Sequence, residues 1–419
     1  MINILKKEIE RKIRRSITKK RDCEFLSDAI FETIDLDISN NTLRRFYGLL
    51  PKTRPNKKTL DTLAKFIGFK NYFHFTQTYE NSVKNYEFIL IYRILQEDDH
   101  EELINVINQA KKTSVDFVGL ITILVRELLH TENYILLDKL FRLDSLAFNS
   151  FSYSEVLILG NAVGLLIRSK SKLDPLLLSN INFLDCVYLI FVDYSSLNKY
   201  YGDSLGFIKN NQNREDIALF SRSLIGFRNF LNNKSVDYID VDANTKRRLH
   251  PILTGRLLAV KLLSTIPDIN LEDLKLQLLP RKDSTTLVSN FYELYTIVIL
   301  LKNIEIMSYL ITETSSNIEF YFQKAYLNSF YLMCLFYYKM IGDVVNENKF
   351  LKLFELNECR DSYKEFIQLI YLVYQFNSFT ESQEKKKAKN TYLELSEKFE
   401  YPFFSELFLQ NYFIESHLD

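Results

Sequence analysis

Apolar residues recur at intervals of three and four along almost the whole chain, with few breaks in the pattern. This spacing places them on one face of an α-helix, whereas a half-buried strand needs strict alternation, which is nowhere sustained. The chain has only 10 Gly and 7 Pro in 419 residues, so it lacks the turn residues that an all-β protein requires. These features predict an all-α protein.

Length and charge divide the chain into two predicted domains. At 419 residues it exceeds the size at which a single core usually stops growing. Residues 1–80 contain 17 Lys and Arg against 10 Asp and Glu, a net charge of +7, which leaves −7 for the rest of a neutral chain. We therefore predict an N-terminal domain over residues 1–80 that meets an anionic partner, and a C-terminal domain over residues 81–419. Chance is the plain alternative for this charge difference.

The C-terminal domain is predicted to be helical throughout, with each helix about three to five turns long. Residues 128–143 and 339–356 share an apolar helix, a short polar turn and a second helix that ends in Leu and Phe. The turn at Gly342 and Asp343 resembles the turn between the helices of tetratricopeptide repeats, although the full repeat signature is absent. We predict a tetratricopeptide-like α-solenoid of stacked helical hairpins, whose groove would bind a peptide or protein and which could form a homodimer.

Residues 37–69 combine basic side chains with helical apolar spacing. A helix-turn-helix motif needs a first helix, a turn with an apolar plug, and a second helix that docks its inner face. Leu26 fits the first helix, Ile38 the plug, and Leu43 and Phe46 the inner face of the second helix. The predicted turn is about four residues longer than in the tightest helix-turn-helix motifs.

With Leu43 and Phe46 facing inward, helical periodicity leaves a polar outer face. The candidate base-contacting residues on it are Ser39, Asn40, Asn41, Arg44 and Arg45. The candidate phosphate-contacting residues are Thr42, Lys52, Arg54, Lys57 and Lys58. Arg can pair with guanine and Asn with adenine, while lysines and hydroxyls bind phosphate. The plain alternative for these residues is a solvated helix face.

The same segment resembles the N-terminal domain of a group of bacterial proteins with a helix-turn-helix-like region. The residues that carry the resemblance are I-S-N-N-T-L-R-R-F-Y-G and, after a short gap, P-N-K-K-T-L-D-T-L-A-K-F-I-G-F. Two positions depart from the pattern, with Asn56 where Ser is usual and Tyr72-Phe73 where Trp is usual. The resemblance covers about 60 of 419 residues. It implies a DNA-binding module and a role in transcription regulation.

No enzyme signature occurs in the sequence. The five histidines are far apart, and neither a P-loop nor the G-x-G-x-x-G or G-x-S-x-G pattern is present. The four cysteines lack metal-ligand spacing, which predicts buried or free thiols in a reducing compartment. No signal peptide is evident, and the longest uncharged stretch, Ala325 to Tyr338, is too short to span a bilayer. We predict a cytoplasmic, non-enzymatic protein that uses no cofactor or metal and does not associate with a membrane.

Together these patterns predict a transcriptional regulator that binds double-stranded DNA through residues 1–80 and a partner or effector through the C-terminal domain. The alternative is a protein-interaction scaffold whose N-terminal domain binds protein rather than DNA. DNA binding requires exposed basic side chains, whereas a scaffold predicts that they pair with acids or pack against the array. The basic first helix also has two interpretations, either a membrane-surface helix or a helix packed onto the small domain.

Overall fold

A computed structural model describes most of the chain. The described residues are 1–51, 55–76, 89–91, 93–95, 99–114, 116–209, 214–265, 271–278, 284–317 and 324–414. All regular secondary structure in these ranges is helical and none of it is β-strand. The prediction of an all-α protein is therefore confirmed for this part of the chain. The structure divides into two compact units, Met1–Leu120 and Ile121–Asp419.

The first unit begins with a group of short helices. Its helices are α1 (Ile2–Ile13), α2 (Lys20–Ile34), α3 (Asn40–Tyr47), α4 (Lys57–Phe66) and α5 (His100–Thr113), with helical residues also at 72–76, 89–91 and 93–95. Helix α6 (Phe117–His130) begins in this unit and ends in the second.

One hydrophobic cluster joins α1 to α4 with residues 72–76. Leu5 and Ile9 of α1 are fully buried in it, so the apolar stripe of this basic helix packs onto the small domain. Ile17 lies beyond the end of α1, because Arg14 turns the backbone into the left-handed region with φ of 50°, yet Ile17 is still buried in the same cluster. Phe75 closes the cluster from residues 72–76. The core thus depends on side chains from every one of these elements.

The second unit continues with helices of 3 to 18 residues. They are α7 (Tyr134–Phe141), α8 (Tyr153–Ile167), α9 (Pro175–Ser179), α10 (Ile181–Phe183), α11 (Tyr200–Ile208), α12 (Glu215–Leu231), α13 (Ala243–Arg248), α14 (Pro251–Ser264), α15 (Leu271–Leu278), α16 (Ser284–Leu301), α17 (Ile304–Ser316), α18 (Lys324–Met340), α19 (Val344–Leu353), α20 (Asp361–Ser378), α21 (Ser382–Phe399) and α22 (Glu406–Asn411). A π-helical turn, Leu184–Tyr188, follows α10.

Helices of the second unit pack both with their chain neighbours and with helices two positions away. Helix α18 packs against α19, and α20 packs against α21. The longer helices α12, α14, α16 and α18 pack in that order, each against the next. Alternating helices therefore share a continuous apolar interior, as expected for successive helical hairpins.

One turn geometry recurs at three helix–helix connections of this unit. The residues with positive φ are Glu132, Lys302 and Gly342, and the residues that follow and cap the next helix are Asn133, Asn303 and Asp343. Each capping side chain accepts the backbone N–H three residues later, at 3.1, 2.8 and 3.0 Å. Each capping residue also donates its own N–H to the carbonyl five residues earlier. The similarity between residues 128–143 and 339–356 thus has a structural basis, and the connection at Lys302 is a third copy.

Contacts between distant parts of the chain also hold this unit together. The hydroxyl of Tyr401 donates to the carbonyl of Tyr194 at 2.6 Å and accepts the N–H of Leu197 at 2.9 Å. The rings of Tyr194 and Tyr363 lie 4.4 Å apart, centroid to centroid. In a linear solenoid, each repeat contacts only the repeats next to it. The contacts of Tyr194 with Tyr363 and Tyr401 join parts of the chain that are far apart in sequence, so the predicted solenoid arrangement stays a prediction.

Candidate nucleic-acid interface

The hydrophobic cluster determines which face of α3 points outward. Leu43 and Phe46 lie in the core with 0% and 5% of their surface exposed, and Ile38 is buried beside them at 7%. Helix α2 packs directly against α3, with Leu26 fully buried. Since a helix turns 100° per residue, burial of Leu43 and Phe46 leaves Asn41 and Arg45 on the opposite, solvent-facing side.

Local hydrogen bonds position the two ends of α3. The Ser27 hydroxyl of α2 donates to the carbonyl of Ile38 at 2.8 Å, which ties the connection between the helices to α2. Ser39 caps α3, because its hydroxyl accepts the N–H of Thr42 at 3.2 Å. Gly48 ends the helix with φ of 82°, a conformation that favours glycine. The orientation of α3 is therefore specified from both ends.

The predicted base-contacting residues fall into two groups. Ser39, Asn41 and Arg45 are exposed, and Arg45 forms neither a hydrogen bond nor an ion pair with a described residue. Asn40 and Arg44 are half-buried along one side of α3. Their buried atoms Asn40 Oδ1 and Arg44 Nε have no hydrogen-bond partner in the described part of the chain. The freely exposed face is thus narrower than periodicity alone predicts.

The guanidinium group of Arg44 still forms a hydrogen bond, although the side chain is half-buried. Its Nη1 donates to Asn41 Oδ1 at 3.2 Å, so the two side chains hold each other in position. Preorganised side chains lose less conformational entropy when they bind a ligand. Arg44 is therefore suited to orient Asn41, while Arg45 remains available for direct contact. Thr42, a predicted phosphate contact, is half-buried, and its hydroxyl lies 2.8 Å from that of Ser39.

The predicted phosphate contacts on α4 lie at the start of that helix. Asn56 caps α4 by accepting the N–H of Thr59 at 2.8 Å, and Thr59 itself is buried. Lys57 and Lys58 are exposed, and neither forms an ion pair with a described residue. Cations are unfavourable at the positive end of a helix, so two lysines there gain from an external anion. Lys52 and Arg54 lie outside the described residues.

Several other residues of this segment stabilise the fold instead. Asp61, part of the T-L-D pattern, accepts the N–H of Tyr72 at 2.9 Å and thereby joins α4 to residues 72–76. Gly68 adopts φ of 101° just after α4. Lys12 of α1 donates to the carbonyl of Phe66, and its ammonium lies 4.6 Å from the Phe66 ring. These residues support the position of α4.

Sequence patterns did not indicate the role of Lys6. Its ammonium lies 5.2 Å from the ring centroid of Phe46 and 5.5 Å from that of Tyr47. A cation over an aromatic face is attracted by the ring quadrupole. Part of the positive charge of α1 therefore packs against α3 rather than facing an external partner. In the sequence, Lys6 is recognisable only as a lysine next to the apolar Leu5, and that position does not identify the aromatic rings that its ammonium contacts.

A buried carboxylate organises the start of α2. Asp22 accepts the backbone N–H groups of Thr18 at 3.0 Å and Lys19 at 2.8 Å, and it pairs with the Arg15 guanidinium. The two backbone hydrogen bonds, together with Arg15, hold the pKa of Asp22 below its usual value. The ionised carboxylate thus fixes the connection between α1 and α2.

We expect Asp22→Asn to lower the melting temperature of the protein at neutral pH, whereas Asp28→Asn, at an exposed position of the same helix, should not. Because the folded pKa of Asp22 is depressed, its stabilisation is complete above the unfolded pKa and disappears as pH falls through the folded pKa. Melting curves followed by circular dichroism from pH 7 to about pH 3 should show the difference between wild type and Asp22→Asn shrinking below about pH 4. A difference that stays constant with pH would contradict this role.

The described residues also bear on metal binding, disulfides and membrane spans. Within the described ranges, no three His, Cys, Asp or Glu side chains come together as a group that could hold a metal ion. All four cysteines are buried and form no disulfide, in agreement with the predicted thiols. No helix in the described part of the chain is long and apolar enough to cross a membrane.

Neither a protein-family model, nor a curated protein, nor a solved structure matches this chain. The interpretation of α3 and α4 therefore depends on their own geometry and charge. That geometry offers an exposed arginine and two exposed lysines on capped, well-packed helices.

Proposed function

We propose that the protein is a DNA-binding transcriptional regulator whose residues 1–80 form a helix-turn-helix-like domain. In this proposal α2 and α3 are the two helices of the motif, and α3 enters the major groove. The observation that carries it is the exposure of Arg45, Lys57 and Lys58 without an ion-pair partner in the described part of the chain. A purely structural role would favour neutralisation of these charges by neighbouring acids, as occurs for Arg15 with Asp22.

The roles of the individual residues follow from their positions. Asn41 and Arg45, one turn apart on the outward face of α3, would contact base edges, with Arg44 orienting Asn41. Ser39 would lie near the same groove edge, at the start of α3. Lys57 and Lys58 would neutralise phosphates and anchor the domain without reading sequence. Residues 81–419 would then bind a peptide, protein or small effector and support a homodimer.

DNA binding by the full-length chain can be measured by fluorescence anisotropy on a mixed-sequence duplex between about 50 and 200 mM salt. We expect Arg45→Ala to weaken binding about tenfold, because one bidentate base or phosphate contact is lost. The double variant Lys57→Ala/Lys58→Ala should reduce the slope of log affinity against log salt by about 2, since each lost phosphate contact removes about 0.9.

The matched control is Lys386→Ala/Lys387→Ala, which removes two adjacent exposed lysines near the start of α21. It changes net charge by the same amount and should leave both affinity and salt slope unchanged. If the folded wild-type chain does not bind duplex DNA at about 50 mM salt, the proposal is wrong. If the control variant weakens binding as much as the α4 variant, the contact is a general charge effect and not a property of α4.

The alternative, a protein-interaction scaffold, is favoured by a separate observation on the same domain. Phe25 and Phe31 of α2 expose 44% and 50% of their surface, and Phe73 exposes 68%. Exposed aromatic side chains are enriched where one protein binds another. Under this proposal Phe31→Ala would abolish capture of a protein partner, while the lysine variants of α4 would have no effect. The DNA titration distinguishes the two functions, because a scaffold does not bind duplex DNA with a salt slope that depends on Lys57 and Lys58.

A further inference from the structure

A cavity of about 330 Å³ opens within the second unit. Its lining includes the apolar or aromatic side chains Phe148, Tyr153, Leu157 and Ile190. Phe148 and Tyr153 expose 47% and 59% of their surface, which is unusual for aromatic side chains in an otherwise aromatic-rich interior. The volume is at the lower end of the range for ligand pockets and suits one small molecule or the end of a peptide.

The lining also includes three arginines, and two of them are already neutralised. Arg214 donates to Asp185 at 3.2 Å and to Asp216 at 2.8 Å. Arg256 is buried, and its guanidinium pairs with Glu293 at 2.9 Å. Both guanidinium groups therefore have their charge balanced by carboxylates within the protein, and neither requires a ligand.

Arg248 differs from these two arginines. It is the last residue of α13, it is exposed, and it lines the same cavity. Its one hydrogen bond among the described residues is a long 3.4 Å contact from Nη2 to the hydroxyl of Thr245. The charge of Arg248 helps to lower the pKa of Asp242, but no described carboxylate lies within ion-pair distance of the guanidinium. A guanidinium carries five N–H donors, so most of those of Arg248 remain available to an acceptor inside the cavity.

His250 adds a neutral donor two residues later. It caps α14, where its Nδ1 accepts the N–H of Ile252 at 3.3 Å. Partial desolvation, and to a smaller extent the charge of Arg256, lower the pKa of His250, which favours the neutral ring even though part of the residue is exposed. Since Nδ1 is the acceptor in the neutral ring, Nε2 carries the hydrogen and is a donor. The cavity lining thus combines a cation that forms no ion pair with a described residue and an imidazole N–H donor.

We propose that this cavity binds a small organic carboxylate with an apolar body, with the carboxylate at Arg248 and His250 and the apolar body against Phe148 and Tyr153. The carboxylate could come from a free acid or from the C-terminal residue of a peptide, because both present the same group. This inference deepens the proposed function, since it assigns a ligand class to the effector-binding part of the chain. It does not depend on DNA binding, so each can fail separately.

The test is isothermal titration of the full-length protein with two carboxylates of the required shape. N-acetyl-phenylalanine represents a free acid with an aromatic body, and N-acetyl-leucyl-phenylalanine represents a peptide C-terminus. Each is compared with its C-terminal amide, which keeps the apolar body and loses the charge. For ligands of this size, we expect at least one carboxylate to bind with a Kd of about 1 mM or tighter, and its amide to bind at least about tenfold more weakly.

Two variants connect the binding to the cavity. Arg248→Gln should weaken carboxylate binding about tenfold and leave the weak binding of the amide unchanged, because only the charge contact is lost. Arg222→Gln, at an exposed arginine of α12 that does not line this cavity, is the matched control and should bind like wild type. Arg248 is exposed and its one hydrogen bond is long, so its variant should keep close to the wild-type melting curve, which circular dichroism would verify.

The outcomes separate the two sources and can overturn the proposal. Tighter binding of the dipeptide than of the single residue indicates a peptide terminus, while equal binding indicates a free acid. If neither carboxylate binds, if acid and amide bind equally well, or if Arg248→Gln binds like wild type, the proposal is wrong. If the wild-type chain does not bind duplex DNA in the anisotropy titration, the expected carboxylate binding and its dependence on Arg248 stay the same.

Discussion

Replacing Glu293 by alanine is expected to lower the free energy of unfolding by about 3–5 kcal/mol. Glu293 of α16 and Arg256 of α14 are both buried, with side-chain exposures of 6% and 9%, and their closest atoms, Oε1 and Nη2, lie 2.9 Å apart. Tyr194 donates its hydroxyl to Glu293 Oε2 at 2.8 Å. Removal of the carboxylate leaves an unpaired guanidinium and an unsatisfied hydroxyl in the interior, and both are costly.

Urea unfolding followed by circular dichroism would measure this loss. Glu305→Ala, at an exposed glutamate in the first turn of α17, removes the same charge from the surface and should cost about 0.5 kcal/mol or less. The double variant Arg256→Met/Glu293→Leu should recover a large part of the stability, because no unpaired charge remains. A loss below about 1 kcal/mol for Glu293→Ala would mean that water reaches Arg256 and solvates its charge.

The second large effect concerns two glycines of α11, four residues apart. A Cβ atom added to Gly202 would lie 1.6 Å from the carbonyl oxygen of Leu197, which belongs to the backbone of the preceding turn. Gly202→Ala must therefore displace the backbone that holds the N–H of Leu197 against Tyr401. We expect a loss of about 3 kcal/mol or more, at the upper end of the cost of overpacking.

Gly206→Ala is the matched control on the same helix. A Cβ atom at Gly206 would meet no atom within 4 Å, and the position is exposed. Alanine is the better helix former, so this variant should be more stable than wild type by about 0.5–1 kcal/mol. The two substitutions thus should change the urea midpoint in opposite directions. Equal effects would show that α11 is not held as closely against Leu197 as the structure describes.

Local patterns predicted much of the N-terminal domain. The buried positions Leu43 and Phe46, the plug Ile38 and the helix end near Gly68 all follow from apolar spacing and from residue preferences that act within one turn. Periodicity also placed Arg44 with Arg45 on one outward face. The structure leaves Arg45 exposed but buries part of Arg44, because the neighbouring elements cover that side of α3, and a pattern within one helix contains no information about its neighbours.

The C-terminal part shows the same limit. Two of its three equivalent turns were recognised from sequence by a short apolar–polar–apolar pattern. The third, at Lys302 and Asn303, was recognised only by its backbone geometry. Among the four cysteines and five histidines, His250 lines the cavity at Arg248, but no spacing pattern in the sequence marked it as part of a site. Its lining residues come from positions 148 to 256, and each is unremarkable in its own segment.

The sequence by itself determined the helices, their inner faces, and the concentration of positive charge in residues 1–80, because these properties depend on residues within a few positions of one another. Tertiary structure decided the partners of the buried charges and hydroxyls. It paired Arg256 with Glu293 and placed Tyr401 against Tyr194, 207 residues away along the chain. It also placed Arg248, which has no ion-pair partner among the described residues, in the lining of one cavity with Phe148 and Tyr153. Such contacts depend on how helices pack, and packing is a collective property of side chains that are distant in sequence.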